Sequence, residues 1–219
     1  MENARIIRVT GKGQIKLKPD VTRVVMTLTG LKKEYAETLA ASSADTDELK
    51  TVLQAFGFSS EDVKTLRFHV NAEYEGYEEQ GQWKQRFAGY RFEHALKIEF
   101  PSDNDRLGKV LYAVGHAAVQ PEIQISFTVG DREAAKNLLL GRAVADAKQK
   151  AAVLAEASGV ALGQIRSIHY AWGEPDLEIR PMNVAACRKE TAPAGAYDLS
   201  VEPDDIEVSD TVTIVWTIE

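Results

Sequence analysis

The stretch VTGKGQIKLKPD, residues 9–20, alternates with period two and keeps both of its glycines in the apolar row. Ile7, Val9, Gly11, Gly13, Ile15 and Leu17 share one parity, and Arg8, Thr10, Lys12, Gln14, Lys16 and Lys18 share the other. That alternation specifies a half-buried strand. A glycine on the buried side leaves space where a side chain would stand, so the sheet bends there or a neighbour comes close. Gly-Lys-Gly also occurs in loops that cradle phosphate. A Walker-type loop, however, needs G-x-x-x-x-G-K-[ST] leading into a helix whose first amides hold the phosphate. No Ser or Thr follows Lys12 and the strand alternation simply continues, so neither that loop nor a dinucleotide fingerprint fits. The stretch dictates packing.

Pro19-Asp20 interrupts the alternation, and VTRVVMTLTG continues as a second strand ending at Gly30. Residues 33–56 read as a helix carrying Tyr35, Leu39, Leu49, Val52, Leu53 and Phe56 at helical spacing, with a possible break at the weak helix former ASSADTD. Gly57 is a natural stop. VKTLRFHV and YRFEHALKIEF read as two strands of a long hairpin, with a tip around residues 76–81. In the second of these Tyr90, Phe92, His94, Leu96, Ile98 and Phe100 share a face. A shorter helix follows over NDRLGKVLYAVGHAAV, then a strand over EIQISFTVG. Residues 132–158 form the strongest helix, with Leu140, Ala143, Val144, Ala147, Ala151 and Leu154 as its buried stripe and an Asp146–Lys150 pair at i,i+4. So many alanines permit a close approach to a sheet. IRSIHYAW is the next strand, residues 174–204 read as a long irregular excursion, and the apolar alternation of IEVSDTVTIVWTIE demands a strand inside a sheet. The segments 57–68 and 159–170 echo each other after a helix-ending glycine, which suggests a duplicated strand-helix-strand unit. The fold class is therefore mixed α+β: a curved, mostly antiparallel sheet with helices packed on one face.

The formal net charge of −7 over 219 residues argues against a nucleic-acid partner, which needs a basic footprint. No apolar run approaches the roughly 20 residues of a membrane span. The first residues lack a basic segment followed by an apolar one, so a cytoplasmic location is the simplest expectation; a periplasmic or secreted protein whose leader has been removed would read the same way. Cys187 is the one cysteine, so an intrachain disulfide and thiolate-rich zinc sites are out of reach.

The ordered set RVTGKGQIKLKPDVTRV, GYRFEHALKIEF, RAVADAKQKAAVLAEASGVALGQIRSI and VEPDDIEVSDTVTIVWTIE resembles the SIMPL domain family over nearly the whole chain. Its most specific pieces are the glycine-x-glycine with the later Pro-Asp, and the alanine-rich helix running into Gly-Val-x-Leu-Gly. The resemblance implies a single domain over residues 1–219 of the kind found in bacterial envelope or secreted proteins, some of which form ring-like homo-oligomers. It also implies loose links to oxidative-stress defence. No reaction comes with the family, so it supplies no catalytic residue, cofactor or metal ligand.

The residues themselves point the same way. Tyr74, Tyr77, Trp83, Phe87 and Tyr90 crowd the long hairpin among glutamates, a composition suited to a protein interface. The row Arg8, Lys12, Lys16 and Lys18 reads as a solvated sheet face or an oligomer contact. His69, His94, His116 and His169 show no metal-ligand spacing, and His94 sits among apolar neighbours as a hydrogen-bonded core or interface histidine. Cys187, next to Arg188 and Lys189, is a weak redox candidate. These features describe a non-catalytic domain that acts through homo-oligomeric assembly or protein contacts. The alternative is a small-molecule-binding protein or hydrolase with its site under the 174–204 excursion.

Overall fold

A computed structural model of the chain describes residues 5–170, 176–184 and 202–219. The elements run β1 (Ile6–Leu17), β2 (Val21–Lys32), α1 (Tyr35–Gln54), β3 (Lys64–Glu79), β4 (Gln82–Pro101), α2 (Asn104–His116), β5 (Glu122–Thr128), α3 (Arg132–Ala157), β6 (Leu162–Tyr170), β7 (Glu178–Val184) and β8 (Ile206–Ile218). The fold is mixed α+β, as its pattern requires, and the strands divide between a three-stranded and a five-stranded sheet. The chain forms two compact units.

The first unit is the antiparallel sheet β1-β8-β6 with α3 laid on it. The C-terminal strand takes the central place because Val212, Ile214 and Trp216 are too apolar for an edge, and all three are buried. Gly11 and Gly13 lie beneath α3. A Cβ at Gly11 would overlap the Ala143 carbonyl and the Ala147 amide and stand 2.7 Å from the Ala147 Cβ; one at Gly13 would stand 2.9 Å from the Ala143 nitrogen. The helix therefore rests its backbone on the strand, which only glycine below and alanine above allow. The buried stripe is accordingly Ala135, Leu139, Ala143, Ala147, Ala151 and Ala155. Leu154, expected inside, is 47% exposed, because it lies about 100° round the helix from Ala155, off this row of positions four apart.

Helix α3 also reaches the outer edge of β1. The Lys12 amide donates to the Asp146 carboxylate at 2.7 Å, and Arg142 donates to the Gln14 carbonyl at 2.7 Å. Asp146 also pairs with Lys150 at 2.7 Å, and the two bonds hold its carboxyl below the usual carboxylate range. With these two backbone groups taken by side chains, the middle of the edge is blunted as a template for another strand.

The second unit is built on the sheet order β3-β4-β2-β5, which β7 ends as an edge strand within the expected excursion. Pro181 of β7 has no amide to offer, which suits an edge. Val24, Met26 and Leu28 of β2, with Phe92, Leu96, Ile98 and Phe100 of β4, form the core face beneath α1 and α2. Helix α1 runs unbroken through ASSADTD. Its buried residues are Thr38, Ser42, Thr46, Leu49 and Leu53, whereas Tyr35 and Leu39 stay outside. Buried hydroxyls replace the expected apolar stripe because they have partners within the unit: Thr38 donates to the Glu34 carbonyl, and Thr46 to that of Ser42.

The echoed segments occupy equivalent places. Each follows a helix, turns at a glycine of positive φ (Gly57 at 80°, Gly159 at 68°), and enters an antiparallel strand at the end of its sheet order.

Candidate functional site

The β3–β4 hairpin is much longer than its sheet. Strand β2 pairs with β4 only as far as Lys32 opposite Tyr90, yet β3 and β4 remain paired to Glu79 opposite Gln82. Residues 73–89 therefore form a two-stranded ribbon beyond the sheet. The sequence predicts a polar tip over residues 76–81; the turn is in fact just Gln80-Gly81, both at positive φ, the geometry of a tight two-residue hairpin.

An isolated two-stranded ribbon is marginal in water, so its cross-strand pairs carry it. Glu75 stands opposite Arg86 and pairs with it at 2.6 Å; Glu73 pairs with Arg91 at 2.8 Å, and Glu79 with Lys84. The Arg86 guanidinium also lies 5.7 Å from the Tyr77 ring centre. Residues directly opposite share a face. Glu75/Arg86 and Tyr77/Lys84 thus make one face, polar and internally neutralised.

The other face carries Tyr74 opposite Phe87, and Trp83 on the same side as Gly76, where a Cβ would come within ordinary contact of the indole, 3.7 Å. Tyr74 meets Phe87 edge to face at 5.8 Å, Phe87 meets Tyr90 at 5.2 Å, and Tyr90 meets Tyr35 of α1 at 5.3 Å. Trp83 is 79% exposed, Tyr74 59% and Phe87 41%. Four of the five sequence-predicted interface residues thus lie along this side of the hairpin, and Tyr77 lies on the opposite face. Tyr35, which helical periodicity assigns to the core, is 50% exposed and extends the aromatic row.

Residues 7–216 match the family described as SIMPL, a protein of unknown function (DUF541). The chain belongs to the SIMPL family. Its curated relatives include the 26 kDa periplasmic immunogenic proteins of Brucella melitensis biotype 1 and of Brucella abortus strain S19. Each is 25% identical over 196 residues, covering 89% of this chain and 76% of the relative.

Other candidate positions of this SIMPL chain fall apart from the ribbon. His94 lies on the core face of β4, half-buried against α1, within reach of Ser42 at 3.4 Å and Thr46 at 3.1 Å on Nδ1 and of Thr65 at 2.9 Å on Nε2. Thr46 already gives its one proton to the Ser42 carbonyl, so it can only accept, and Nδ1 carries the ring proton. Nε2 then accepts from Thr65. Burial, and to a lesser extent the charge of Lys50, lower the pKa of this imidazole, which keeps it neutral. His69 lies 3.6 Å from Glu93, His116 donates from Nδ1 to the Tyr112 carbonyl of α2 at 2.7 Å, and His169 meets Ser167 at 3.0 Å. Among the described residues no group of three His, Cys, Asp or Glu side chains is arranged to hold a metal ion, and no helix is long and apolar enough to cross a membrane. Lys16 of the basic row is paired with Asp205 and Glu207 at 3.6 and 3.3 Å. Cys187 and most of the 174–204 excursion lie outside the described residues.

Proposed function

We propose that this SIMPL protein is a contact domain without a reaction of its own, and that copies of it assemble through the aromatic face of the β3–β4 ribbon. The observation that carries this reading is the exposure of Trp83, Tyr74 and Phe87 on one side of a projecting ribbon whose other side is neutralised by ion pairs. Aromatic side chains left in water are costly, and rigid exposed ones are the side chains that dominate binding energy at interfaces. A periplasmic setting is part of the proposal, supported by the names of the Brucella relatives; a part in stress defence is proposed only from the family resemblance.

The test compares wild type with Trp83→Ala and Tyr74→Ala by multi-angle light scattering. Truncating a central interface aromatic costs about 2 kcal/mol or more, roughly thirtyfold in dissociation constant, so the variants should dissociate at concentrations where wild type is assembled. Circular dichroism should be unchanged, because neither side chain is in the core. Variants with the wild-type mass at every concentration would refute the assignment of the interface.

A further inference from the structure

A second surface of the same unit has the chemistry of a small-ligand site. Between α1 and the edge strand β3 lies an open groove of about 420 Å³ lined by Leu39, Ser43, Lys50, Thr65, Phe68 and His94, with Asp47 at its rim. Its size falls within the usual range for small-molecule sites; its lining is more polar than most such sites, with one apolar wall beside a larger set of convergent polar groups. Phe68 and Leu39 supply the wall. They face the groove because Phe68 stands opposite His94 on the core side of the sheet, where α1 does not extend far enough to cover β3. Phe68 is 45% exposed, with its ring 5.0 Å from that of His94.

The polar end has a definite charge character. Thr46 and Thr65 are already committed to His94. Lys50 is half-buried and forms no ion pair among the described residues, although Asp47 lies one helical turn before it. Strand β3 adds no titratable group here: Arg67 and His69 turn to the opposite sheet face, where both meet Glu93. The groove thus holds one ammonium, one imidazole that can take up a second proton, and one exposed carboxylate. With the imidazole neutral, Lys50 and Asp47 balance; with it protonated the set carries one net positive charge, which a single negative charge matches and a phosphate dianion exceeds.

We propose that the α1–β3 groove binds a small organic monocarboxylate with an apolar or aromatic body, its carboxylate meeting Lys50 beside His94 and its body lying along Phe68 and Leu39. The site is independent of the ribbon. Binding places a negative charge beside His94 and so favours the imidazolium, in which Nε2 donates to Thr65 instead of accepting from it. Linkage then requires that affinity rise as the pH falls and that the bound ligand move the His94 titration upwards.

The test titrates the full chain with phenylacetate while the His94 ring resonances are followed by NMR at several pH values. Acetate supplies the charge without the body, and phenethylamine supplies the body with the opposite charge. Phenylacetate should bind at least tenfold more tightly than either, should raise the His94 midpoint, and should bind Trp83→Ala as it binds wild type. Lys50→Met, which keeps the aliphatic stem, should weaken it at least tenfold with unchanged circular dichroism. Phe68→Ser should weaken phenylacetate but not acetate. Equal binding of phenethylamine, unchanged affinity in Lys50→Met, or no saturable binding of phenylacetate would each overturn the proposal.

Discussion

Replacing Gly11 by alanine tests the close seat of α3 on β1 directly. The added methyl would collide with the Ala143 carbonyl and the Ala147 amide, both of them backbone atoms of a helix that cannot rotate away singly. Relief requires α3 to retreat by roughly 1 Å, and a gap of that order forfeits about a quarter to a half of the dispersion attraction along its alanine face. Overpacking of this kind costs about 1–3 kcal/mol, against which the stiffer unfolded chain returns about 0.4–1 kcal/mol, leaving a net loss on the order of 1–2 kcal/mol. Gly141 supplies the control. It lies in the same helix, but a Cβ there meets nothing within 4 Å, so Gly141→Ala should stabilise by about 0.5–1 kcal/mol. Urea unfolding of both variants, followed by circular dichroism and compared at equal m, gives the two shifts. The same chemical change in the seam and away from it should give opposite signs. A Gly11→Ala midpoint at or above that of wild type, with Gly141→Ala shifted upwards as expected, would refute the close-seat account.

Three further outcomes are expected. His94 has a folded pKa below the 6.5 of the unfolded chain, so the stability it contributes is complete above that value and is lost as the pH falls from there through the folded pKa; His94→Gln should flatten that part of a urea-midpoint profile against pH. Asp146→Ala removes the acceptor of the Lys12 amide, so hydrogen exchange at Lys12 should accelerate while amides of β8 remain protected. In wild type, whose Asp146 carboxyl is held low, that protection should persist through pH 3.8 and fail only as the pH drops through the lower folded value. Ile214→Ala, at a fully buried position in the central strand of its sheet, should cost about 2–5 kcal/mol in thermal or urea unfolding.

The strands were legible in the sequence because burial on one face writes a period of two. The parity shared by Phe92, His94, Leu96 and Ile98 is the core face of β4, and the alternation of Val212, Ile214 and Trp216 requires the central place that β8 occupies. The helices were less legible where packing departs from hydrophobicity. Leu154 and Tyr35 look like core residues and are exposed, whereas Thr38, Ser42 and Thr46 look like surface and are buried, because their hydroxyls find backbone and imidazole partners that no periodicity records. The aromatic cluster of the hairpin was visible as composition. Its division into two faces was not, because that depends on strand pairing running on to the Gln80-Gly81 turn and on the irregularity between Glu73 and Tyr74. The α1–β3 groove left no local signal. Its lining comes from three elements separated by up to 55 residues, from Leu39 to His94, and only pairing assembles it.

The central claim is that this SIMPL chain acts by assembling through its ribbon. The most direct measurement is the solution mass of the wild-type protein by light scattering from low to high micromolar concentration. A defined multiple of the 24.1 kDa chain mass that falls towards one copy on dilution is the predicted result. A monomer across the whole range would contradict the account.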